Sequence, residues 1–180
     1  ARVLDPKAVP VHGTDAHLVA VPGAAMSADA LRRRFELAAA QPADRPSAWQ
    51  PEFTGDGRAF DKPLSHASVL IPLVQRADGL NVLLTQRTDH LHDHAGQISF
   101  PGGRMDPGDA DAVATALRET EEEIGLARSH IEIIGSLPTY TTITCYIVTP
   151  VVALVHPPFE LKLDSFEVAE AFEVPLAYLM

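Results

Sequence analysis

The sequence predicts an α+β protein in which short strands flank one well-defined helix. Three observations support this. An amphipathic helix is indicated at residues 109–124, and the segments around it do not alternate as regular βαβ units would. Strand-like segments with alternating or β-branched residues recur on both sides of that helix, at residues 66–74, 79–86, 97–100, 131–134, 143–154 and 169–174.

Length and composition favour one globular domain. A chain of 180 residues with 46% hydrophobic residues can bury a proper core. The single cysteine, Cys145, excludes an intrachain disulfide, and we interpret it as a small buried strand residue rather than a nucleophile. No apolar run reaches the ~20 residues that a membrane-spanning helix needs, and no basic-then-apolar leader is present. We therefore expect a cytoplasmic protein that does not bind membranes.

Charge is distributed unevenly along the chain. Residues 1–65 contain 8 basic and 8 acidic residues, whereas residues 66–180 contain 6 and 16, so the whole net charge of −10 lies in the second part. Such an acidic surface repels nucleic-acid phosphates, which excludes a general DNA- or RNA-binding module. An anionic small molecule can still bind where a divalent cation mediates. The oligomeric state stays open.

The chain divides into two parts. Residues 1–65 are interpreted as a flanking arm that packs on the main domain, residues 66–180. The arm contains one helix at about 27–39 with Ser27 as its N-cap, followed by an irregular connection rich in Pro and Gly. A further helix is indicated at 175–180, where the sequence stops, so we expect the C-terminal end of the main domain to be incomplete.

The strands of the main domain follow from turn signals. Residues 66–74 and 79–86 are separated by a short polar turn and predict an antiparallel pair. Residues 97–100 are stopped by a loop of Pro101, Gly102 and Gly103, where backbone can approach a ligand closely. Gly125 closes the central helix in a position suited to a left-handed cap.

The central helix carries an unusual acidic cluster. Its apolar face includes Ala116 and Ile124, whereas Glu119, Glu122 and Glu123 share a different sector of about 100°. Carboxylates this close repel one another, and a cluster near the C-terminal end also opposes the helix dipole. Oxygen ligands in such a cluster suit Mg²⁺ or Mn²⁺. A solvated acidic face is the alternative interpretation.

The segment from Gly103 to Leu126, GRMDPGDADAVATALRETEEEIGL, resembles the Nudix box, G-x5-E-x7-R-E-U-x-E-E-x-G-U with U apolar. The second half of the box matches closely, whereas Thr120 stands where an aliphatic residue is usual. In the first half Asp109 takes the place of a Glu, and eight residues rather than seven separate it from Arg118. Whether Asp109 or Asp111 replaces the first acidic residue of the box is left open.

A second motif resembles the signature of one branch of that family. Residues 83–103, LLTQRTDHLHDHAGQISFPGG, are similar to LLTxRSxxLRxHxGxVxFPGG, which marks the coenzyme A pyrophosphatases. Thr88, His92 and Ile98 depart from the consensus, and His92 replaces a permanently charged Arg. If that Arg contacts a phosphate, His92 would make binding weaker or pH-dependent.

The resemblance implies a fold and an activity. The expected fold is an α/β/α sandwich around a mixed sheet, with the box forming a loop–helix–loop. The expected reaction is divalent-metal-dependent hydrolysis of coenzyme A or acyl-coenzyme A to 3′,5′-ADP and (acyl-)4′-phosphopantetheine. Alternatives are hydrolysis of another nucleoside diphosphate derivative, such as a nucleotide sugar or NADH, and a non-catalytic binding module with the same fold.

Candidate residues have separate roles in this hypothesis. We expect Mg²⁺ or Mn²⁺ to be held by Glu119, Glu122, Glu123 and the carbonyl of Gly103. The catalytic residues would be Glu119, Glu122 and Arg118, with Arg118 orienting a carboxylate. The general base would be Glu122 or a carboxylate outside the box, such as Glu167 or Glu170. Substrate contacts are expected from Arg87, His94, Gly102 and Gly103.

Overall fold

The computed structural model describes residues 19–40, 63–91, 95–142 and 144–180. Within these ranges the helices are α1 (Ala28–Ala40), α2 (Ala112–Ile124) and the short α3 (Leu176–Leu179). The strands are β1 (Ser65–Arg76), β2 (Gly79–Arg87), β3 (Ile98–Ser99), β4 (Gly102–Arg104), β5 (Ile131–Ser136), β6 (Tyr140–Thr141), β7 (Tyr146–Val155) and β8 (Val168–Pro175). Along the described part of the chain, no helix combines the length and apolarity needed to cross a bilayer.

These strands form one mixed sheet, which confirms the predicted α+β class. Its main path runs β3-β2-β1-β7-β5, with β4 paired to β1, β6 to β7 and β8 to β2. The β1–β7 pair is parallel, and the other strand pairs are antiparallel. The antiparallel β1–β2 hairpin predicted from the turn at 75–78 is present.

Alternating side chains of the central strands give the sheet two apolar faces. On one face Val74 and Val155 pack with Ile124 of α2, and Leu70 packs with Ala116. On the other face Leu73 and Leu154 belong to a cluster that includes residues of α1. Each buried Leu, Ile or Val side chain contributes about 1.5–3 kcal/mol. Helices on both faces produce the expected α/β/α sandwich.

Helix α1 is anchored to the sheet by packing and by an ion pair. A Cβ on Gly135 would collide with the Phe35 ring, so the glycine lets that ring lie against β5. Arg32 donates from Nε and Nη2 to the two oxygens of Glu132 at 2.7 and 2.8 Å. Ser27 Oγ accepts a hydrogen bond from Ala30 N at 3.3 Å, in keeping with its predicted N-cap role. The division of the chain at residue 65 stays a prediction, since 1–18 and 41–62 lie outside the described residues.

Helix α2 begins three residues later than predicted. Asp111 is extended, and its Oδ1 accepts a hydrogen bond from Ala114 N at 2.8 Å, so it caps a helix that starts at Ala112 rather than 109. At the other end Gly125 has φ of 67° and donates to Glu121 O, which confirms the predicted left-handed cap.

Three further predictions are corrected. Gly102 and Gly103, which were predicted as part of a loop, form β4 together with Arg104. Strand β7 begins at Tyr146 rather than at 143, because Cys145 adopts a left-handed φ of 68° in the preceding turn. Thr142 Oγ1 closes that turn by accepting a hydrogen bond from Tyr146 N at 3.0 Å. The interpretation of Cys145 as a buried strand residue is therefore wrong, since it is a half-buried turn residue.

Candidate active site

Strand β4 brings backbone against the acidic helix. It pairs with β1 in the register Val69↔Gly102 and Ala67↔Arg104. At Gly103 a Cβ would lie 2.5 Å from the carboxyl carbon of Glu119 and within 2.7 Å of both its oxygens. The Glu119 carboxylate therefore occupies space that a side chain at position 103 would take. A glycine at this position is a steric requirement of the arrangement.

Glu123 is a buried carboxylate one helical turn further along α2. It is 6% exposed, and its Oε2 accepts a hydrogen bond from Gly102 N at 3.1 Å. Its Oε1 lies 3.7 Å from Arg87 Nη1. Burial raises the pKa of Glu123 to about 7, and the charges of Glu119 and Glu167 act in the same direction, whereas Gly102 N–H and Arg87 oppose them.

Glu119 is in a similar environment. Burial raises the pKa of its carboxyl, and hydrogen bonding to Arg118 partly opposes that effect. Since Glu119 and Glu123 are four residues apart on one helix, their carboxylates are neighbours. The structure thus places two carboxylates that are partly deprived of water beside the backbone of Gly102 and Gly103.

Arg118 links the acidic groups of the site. Its Nε and Nη2 donate to the two oxygens of Asp109 at 3.0 and 2.8 Å. Its Nη1 donates to Glu119 Oε1 at 2.9 Å and to Glu122 Oε2 at 3.0 Å. Nη2 also donates to the carbonyl of Arg104 at 3.1 Å. One guanidinium therefore fixes the orientation of the carboxylates at positions 109, 119 and 122 relative to β4.

Asp109 and Asp111 have different roles in this geometry. The fork from Arg118 holds the pKa of Asp109 well below its usual range. Thr115 Oγ1 also donates to Asp109 Oδ2 at 3.0 Å. Asp111 instead caps α2. Asp109 is therefore the acid of the irregular first half of the box that joins the Arg118 network, and it precedes the helix rather than lying on it.

Glu122 lies on the outer side of the site. Its side chain is 61% exposed, while Glu123 beside it is buried. The predicted convergence of three carboxylates is thus not seen in this arrangement. Among the described residues no group of three or more His, Cys, Asp or Glu side chains is placed to hold a metal ion together. The assignment of Glu119, Glu122, Glu123 and the Gly103 carbonyl as metal ligands stays a prediction.

Arg87 is the last residue of β2, and it is the second guanidinium that reaches the acidic cluster. Its Nη2 lies 3.9 Å from Glu167 Oε2, so it bridges Glu123 and Glu167 without a short hydrogen bond to either. Its Nε is buried and has no hydrogen-bond partner within the described ranges. Glu170 is exposed and lies opposite Gln86 in the β2–β8 ladder. Of the two outside carboxylates considered from sequence, Glu167 is the one that reaches this cluster. His92 and His94 lie outside the described residues.

The donor set fits a hard divalent cation. Two guanidinium groups, those of Arg87 and Arg118, face six carboxylates, which leaves an excess of negative charge. All these side chains offer oxygen atoms, which Mg²⁺ and Mn²⁺ prefer over nitrogen or sulfur donors. Burial raises the pKa of Glu119 and Glu123, so nearby positive charge would favour their ionised forms. The six carboxylates are those of Asp106, Asp109, Glu119, Glu122, Glu123 and Glu167.

Comparison with protein families gives a match over most of the chain. The model of the NUDIX domain family matches residues 64–178. The chain is 48% identical over 118 residues to NudL of Shigella flexneri serotype 5b (strain 8401), covering 64% of this chain and 61% of that protein. It is 50% identical over 111 residues to NudL of Escherichia coli (strain K12), covering 62% of this chain and 57% of that protein. Both are named uncharacterized Nudix hydrolases, and the chain spans about three fifths of their length.

Solved structures share the fold. A binary complex of an Ap4A hydrolase from C. elegans superimposes with a TM-score of 0.53 at 24% identity, covering 61% of this chain and 80% of that chain. The Nudix hydrolase RenU from M. smegmatis superimposes with a TM-score of 0.54 at 22% identity, covering 63% and 72%. At these identities the likeness establishes the arrangement of helices and strands.

Proposed function

Since the chain belongs to the Nudix family, whose model spans residues 64–178, we propose that it hydrolyses the diphosphate linkage of coenzyme A or an acyl-coenzyme A. The products would be 3′,5′-ADP and (acyl-)4′-phosphopantetheine, and the reaction would require Mg²⁺ or Mn²⁺. The observation that carries the proposal is the pair of carboxylates, half-buried Glu119 and buried Glu123, against the backbone of Gly102 and Gly103.

In this proposal the protein holds the cation with oxygen atoms of α2 and β4. Glu119, Glu123 and the Gly103 carbonyl would bind it, with Glu122 at the outer edge. When bound, the cation neutralises charge on the diphosphate and makes a water easier to deprotonate. Arg118 acts as a positioning residue, since its bonds to Asp109 and Arg104 O fix the direction from which it holds Glu119.

A base is needed to accept a proton from the attacking water. Glu122 and Glu167 are the two candidates, and both carboxylates are more exposed than Glu123. Glu122 is held by Arg118, whereas Glu167 lies 3.9 Å from Arg87. The base would have to lie within hydrogen-bond reach of the attacking water. Comparing Glu122→Gln with Glu167→Gln at saturating substrate distinguishes them, because loss of the base lowers kcat.

Arg87 is the proposed contact for a substrate phosphate. Among the described residues its guanidinium makes two loose ion pairs, 3.7 Å from Glu123 Oε1 and 3.9 Å from Glu167 Oε2. Its Nε has no hydrogen-bond partner within the described ranges. An anionic oxygen placed beside it would gain charge-assisted hydrogen bonds. Gly102 and Gly103 remain proposed substrate contacts on the strength of the sequence motif, since the space of a side chain at these positions is taken by Val69 and by Glu119. His94 remains a proposed substrate contact on the strength of the motif at residues 83–103.

The choice of coenzyme A rests on that same motif, since the curated relatives are uncharacterized. The test is a panel assay in which coenzyme A, acetyl-coenzyme A, NADH and a nucleotide sugar compete for the same enzyme sample. We expect kcat/KM to be highest for a coenzyme A species, with 3′,5′-ADP as a product. A preference for NADH or the nucleotide sugar would move the proposal to another nucleoside diphosphate derivative. No turnover of any of them would favour the non-catalytic binding module.

The catalytic requirement has a matched control on the same helix. Glu119→Gln should abolish turnover while leaving the fold intact, since the amide cannot supply the negative charge. Glu121→Gln should retain wild-type activity, because Glu121 is exposed and pairs with Arg128. Equal activity of Glu119→Gln and wild type would remove Glu119 from the mechanism.

A further inference from the structure

Phe166 is an exposed aromatic residue held in a fixed loop. Its side chain is 64% exposed, although it lies only two residues before the buried start of β8. Its backbone is anchored on both sides: Phe166 N donates to Asp164 Oδ1 at 2.9 Å, and its carbonyl accepts from Thr88 Oγ1 at 2.7 Å. Thr88 is itself buried. The exposure of the ring is therefore imposed by the fold rather than by a loose chain end.

A second ring supports Phe166 from the side. The His90 ring lies 4.9 Å from the Phe166 ring, centroid to centroid, with an interplanar angle of 61°. This edge-type contact fixes the tilt of the Phe166 ring while leaving ring surface open to solvent. The two residues lie beside paired strands: His90 comes three residues after the last residue of β2, and Phe166 comes two residues before the first residue of β8.

The ring stands at the rim of the proposed active site. Glu167, the next residue, lies 3.9 Å from Arg87, and Arg87 lies 3.7 Å from the buried Glu123. Thr88, which holds the Phe166 carbonyl, directly follows Arg87 in the chain. The exposed ring thus belongs to the residue next to Glu167, whose carboxylate faces the Arg87 guanidinium that is proposed to contact a substrate phosphate.

We infer that Phe166, supported by His90, stacks on the nucleobase of the substrate. This inference rests on the proposed function, because a nucleoside diphosphate brings a phosphate and a base to neighbouring positions. Base–aromatic stacking is tolerant of base identity, since every base has a π-face. The loop around the ring is polar, with Asp89, Asp164 and Ser165 exposed, so the apolar surface is ring-sized and does not form a protein-docking patch.

The test compares two diphosphates that differ by the nucleoside. Binding of ADP and of inorganic pyrophosphate is measured in the presence of Mg²⁺ for wild type, Phe166→Ala and Phe166→Trp. Tyr178→Ala is the matched control, because Tyr178 is also an exposed aromatic residue, at 83%. It follows the end of β8 that pairs with the start of β2, whereas Arg87 is at the other end of β2. Phe166→Ala should weaken ADP binding roughly 5- to 100-fold and leave pyrophosphate binding unchanged. Phe166→Trp and Tyr178→Ala should bind both ligands as wild type does.

Any other binding result overturns the inference. Equal weakening of both ligands by Phe166→Ala would mean that the residue acts through the phosphate site. Unchanged ADP binding would mean that the ring does not touch the base. A wild type that binds neither ligand would overturn the inference together with the proposed diphosphate site. Turnover is measured in parallel: Phe166→Ala should raise KM for the substrate with kcat unchanged. A wild type that binds ADP through Phe166 but hydrolyses none of the panel would contradict the proposed function and leave the stacking inference standing.

Discussion

At the residue scale, Glu123 carries much of the site's chemistry. It is nearly inaccessible to solvent, hydrogen-bonded to Gly102 N and close to Arg87, and still its pKa is raised to about 7. An ionised carboxylate in such a place is destabilised unless further positive charge is present. Glu119 adds a second carboxylate with a raised pKa one turn away. The folded protein therefore contains two neighbouring carboxylates, and a bound divalent cation would stabilise their ionised forms.

This leads to a prediction about thermal stability. Adding Mg²⁺ or Mn²⁺ should raise the Tm of the wild type more than that of a Glu119→Gln/Glu123→Gln variant, because ligand binding to the native state stabilises it. Without cation, the variant should be at least as stable as wild type at pH 8, where ionised Glu123 is costly. Thermal unfolding with and without cation measures both effects. Glu121→Gln serves as the control, and the cation should raise its Tm as much as it raises that of the wild type. An equal rise in Tm in all three proteins would contradict the proposed cation site.

A second prediction separates the two aspartates before α2. Asp109→Asn weakens the fork that positions Arg118, and activity should fall roughly 10- to 100-fold, as for other groups that orient ligands. Asp111→Ala removes the N-cap and should lower the free energy of unfolding by about 1 kcal/mol with little change in kcat. Steady-state kinetics and chemical denaturation of both variants test this contrast. A larger loss of activity from Asp111→Ala than from Asp109→Asn would reverse the assignment.

At the element scale, β4 determines the shape of the site. It is three residues long and is held by pairing with β1 rather than by its own strand propensity. Its two glycines serve different purposes. A Cβ on Gly102, which has φ of 154°, would lie 2.5 Å from Val69 Cα and collide with the Ser68 carbonyl, whereas a Cβ on Gly103 would meet the Glu119 carboxylate.

The two glycines should therefore respond differently to alanine. Gly102→Ala would push the backbone of β4 away from that of β1, and it should lower the free energy of unfolding by roughly 1–3 kcal/mol or more. Gly103→Ala displaces a side chain that can rotate away, so the protein should remain folded but lose most of its activity and its cation-induced rise in Tm. Chemical denaturation and kinetics of the two variants test this. Wild-type activity in Gly103→Ala would contradict the position assigned to Glu119.

The docking of α1 gives a prediction about pH. The hydrogen bonds from Arg32 lower the pKa of Glu132 to about 2, and His156 acts in the same direction. Because the folded pKa lies below the unfolded value of about 4.5, this stabilisation is fully present above about pH 4.5. It is lost as the pH falls toward 2. Glu132→Gln should lower Tm by roughly 1–3 °C at pH 7, since the pair is partly exposed.

The matching measurement is a pair of pH series of Tm for wild type and Glu132→Gln. The difference between the two proteins should shrink as the pH falls from about 4.5 toward 2. Asp29→Asn is a suitable control, because Asp29 contacts Arg32 from a more exposed position within α1. A difference that is constant across this range would show that the ion pair with Arg32 contributes nothing to stability.

Comparison of sequence and structure shows which features have local causes. The C-cap at Gly125, the β1–β2 hairpin and the N-cap at Ser27 follow from nearby residues, and each was predicted. Strand β4 was not, because two glycines have no strand propensity and only pairing with β1 makes them extended. The Asp109–Arg118 fork had no signal either, since the two residues are joined across a turn rather than by helical spacing.

The acidic helix shows a subtler limit of sequence reasoning. A helical wheel places Glu122 and Glu123 in one sector, and on that basis they were expected to point to one spot. The sheet covers only one edge of this sector, so Glu123 is buried against Gly102 and Glu122 faces outward. Periodicity predicts which residues share a face, but the neighbouring strand decides where that face ends.

At the scale of the whole molecule, the sandwich places acidic groups at one end of the central strands. The sequence from residue 66 onward carries the whole net charge of −10, and six carboxylates of this part lie around two arginines. A divalent cation would offset the negative potential of these carboxylates locally, and the repulsion of an anionic ligand would fall as a result. The central claim is therefore that cleavage of a nucleoside diphosphate derivative depends on a cation held by α2 and β4.

The most direct measurement is a product assay with coenzyme A, read by chromatography and mass spectrometry. It compares wild type, Glu119→Gln and Glu121→Gln, each with and without Mg²⁺ or Mn²⁺. We expect 3′,5′-ADP and 4′-phosphopantetheine from wild type and Glu121→Gln when the cation is present, and neither product without it or from Glu119→Gln. Product formation that is independent of the cation, or equal in Glu119→Gln and wild type, would contradict cation-dependent hydrolysis at Glu119.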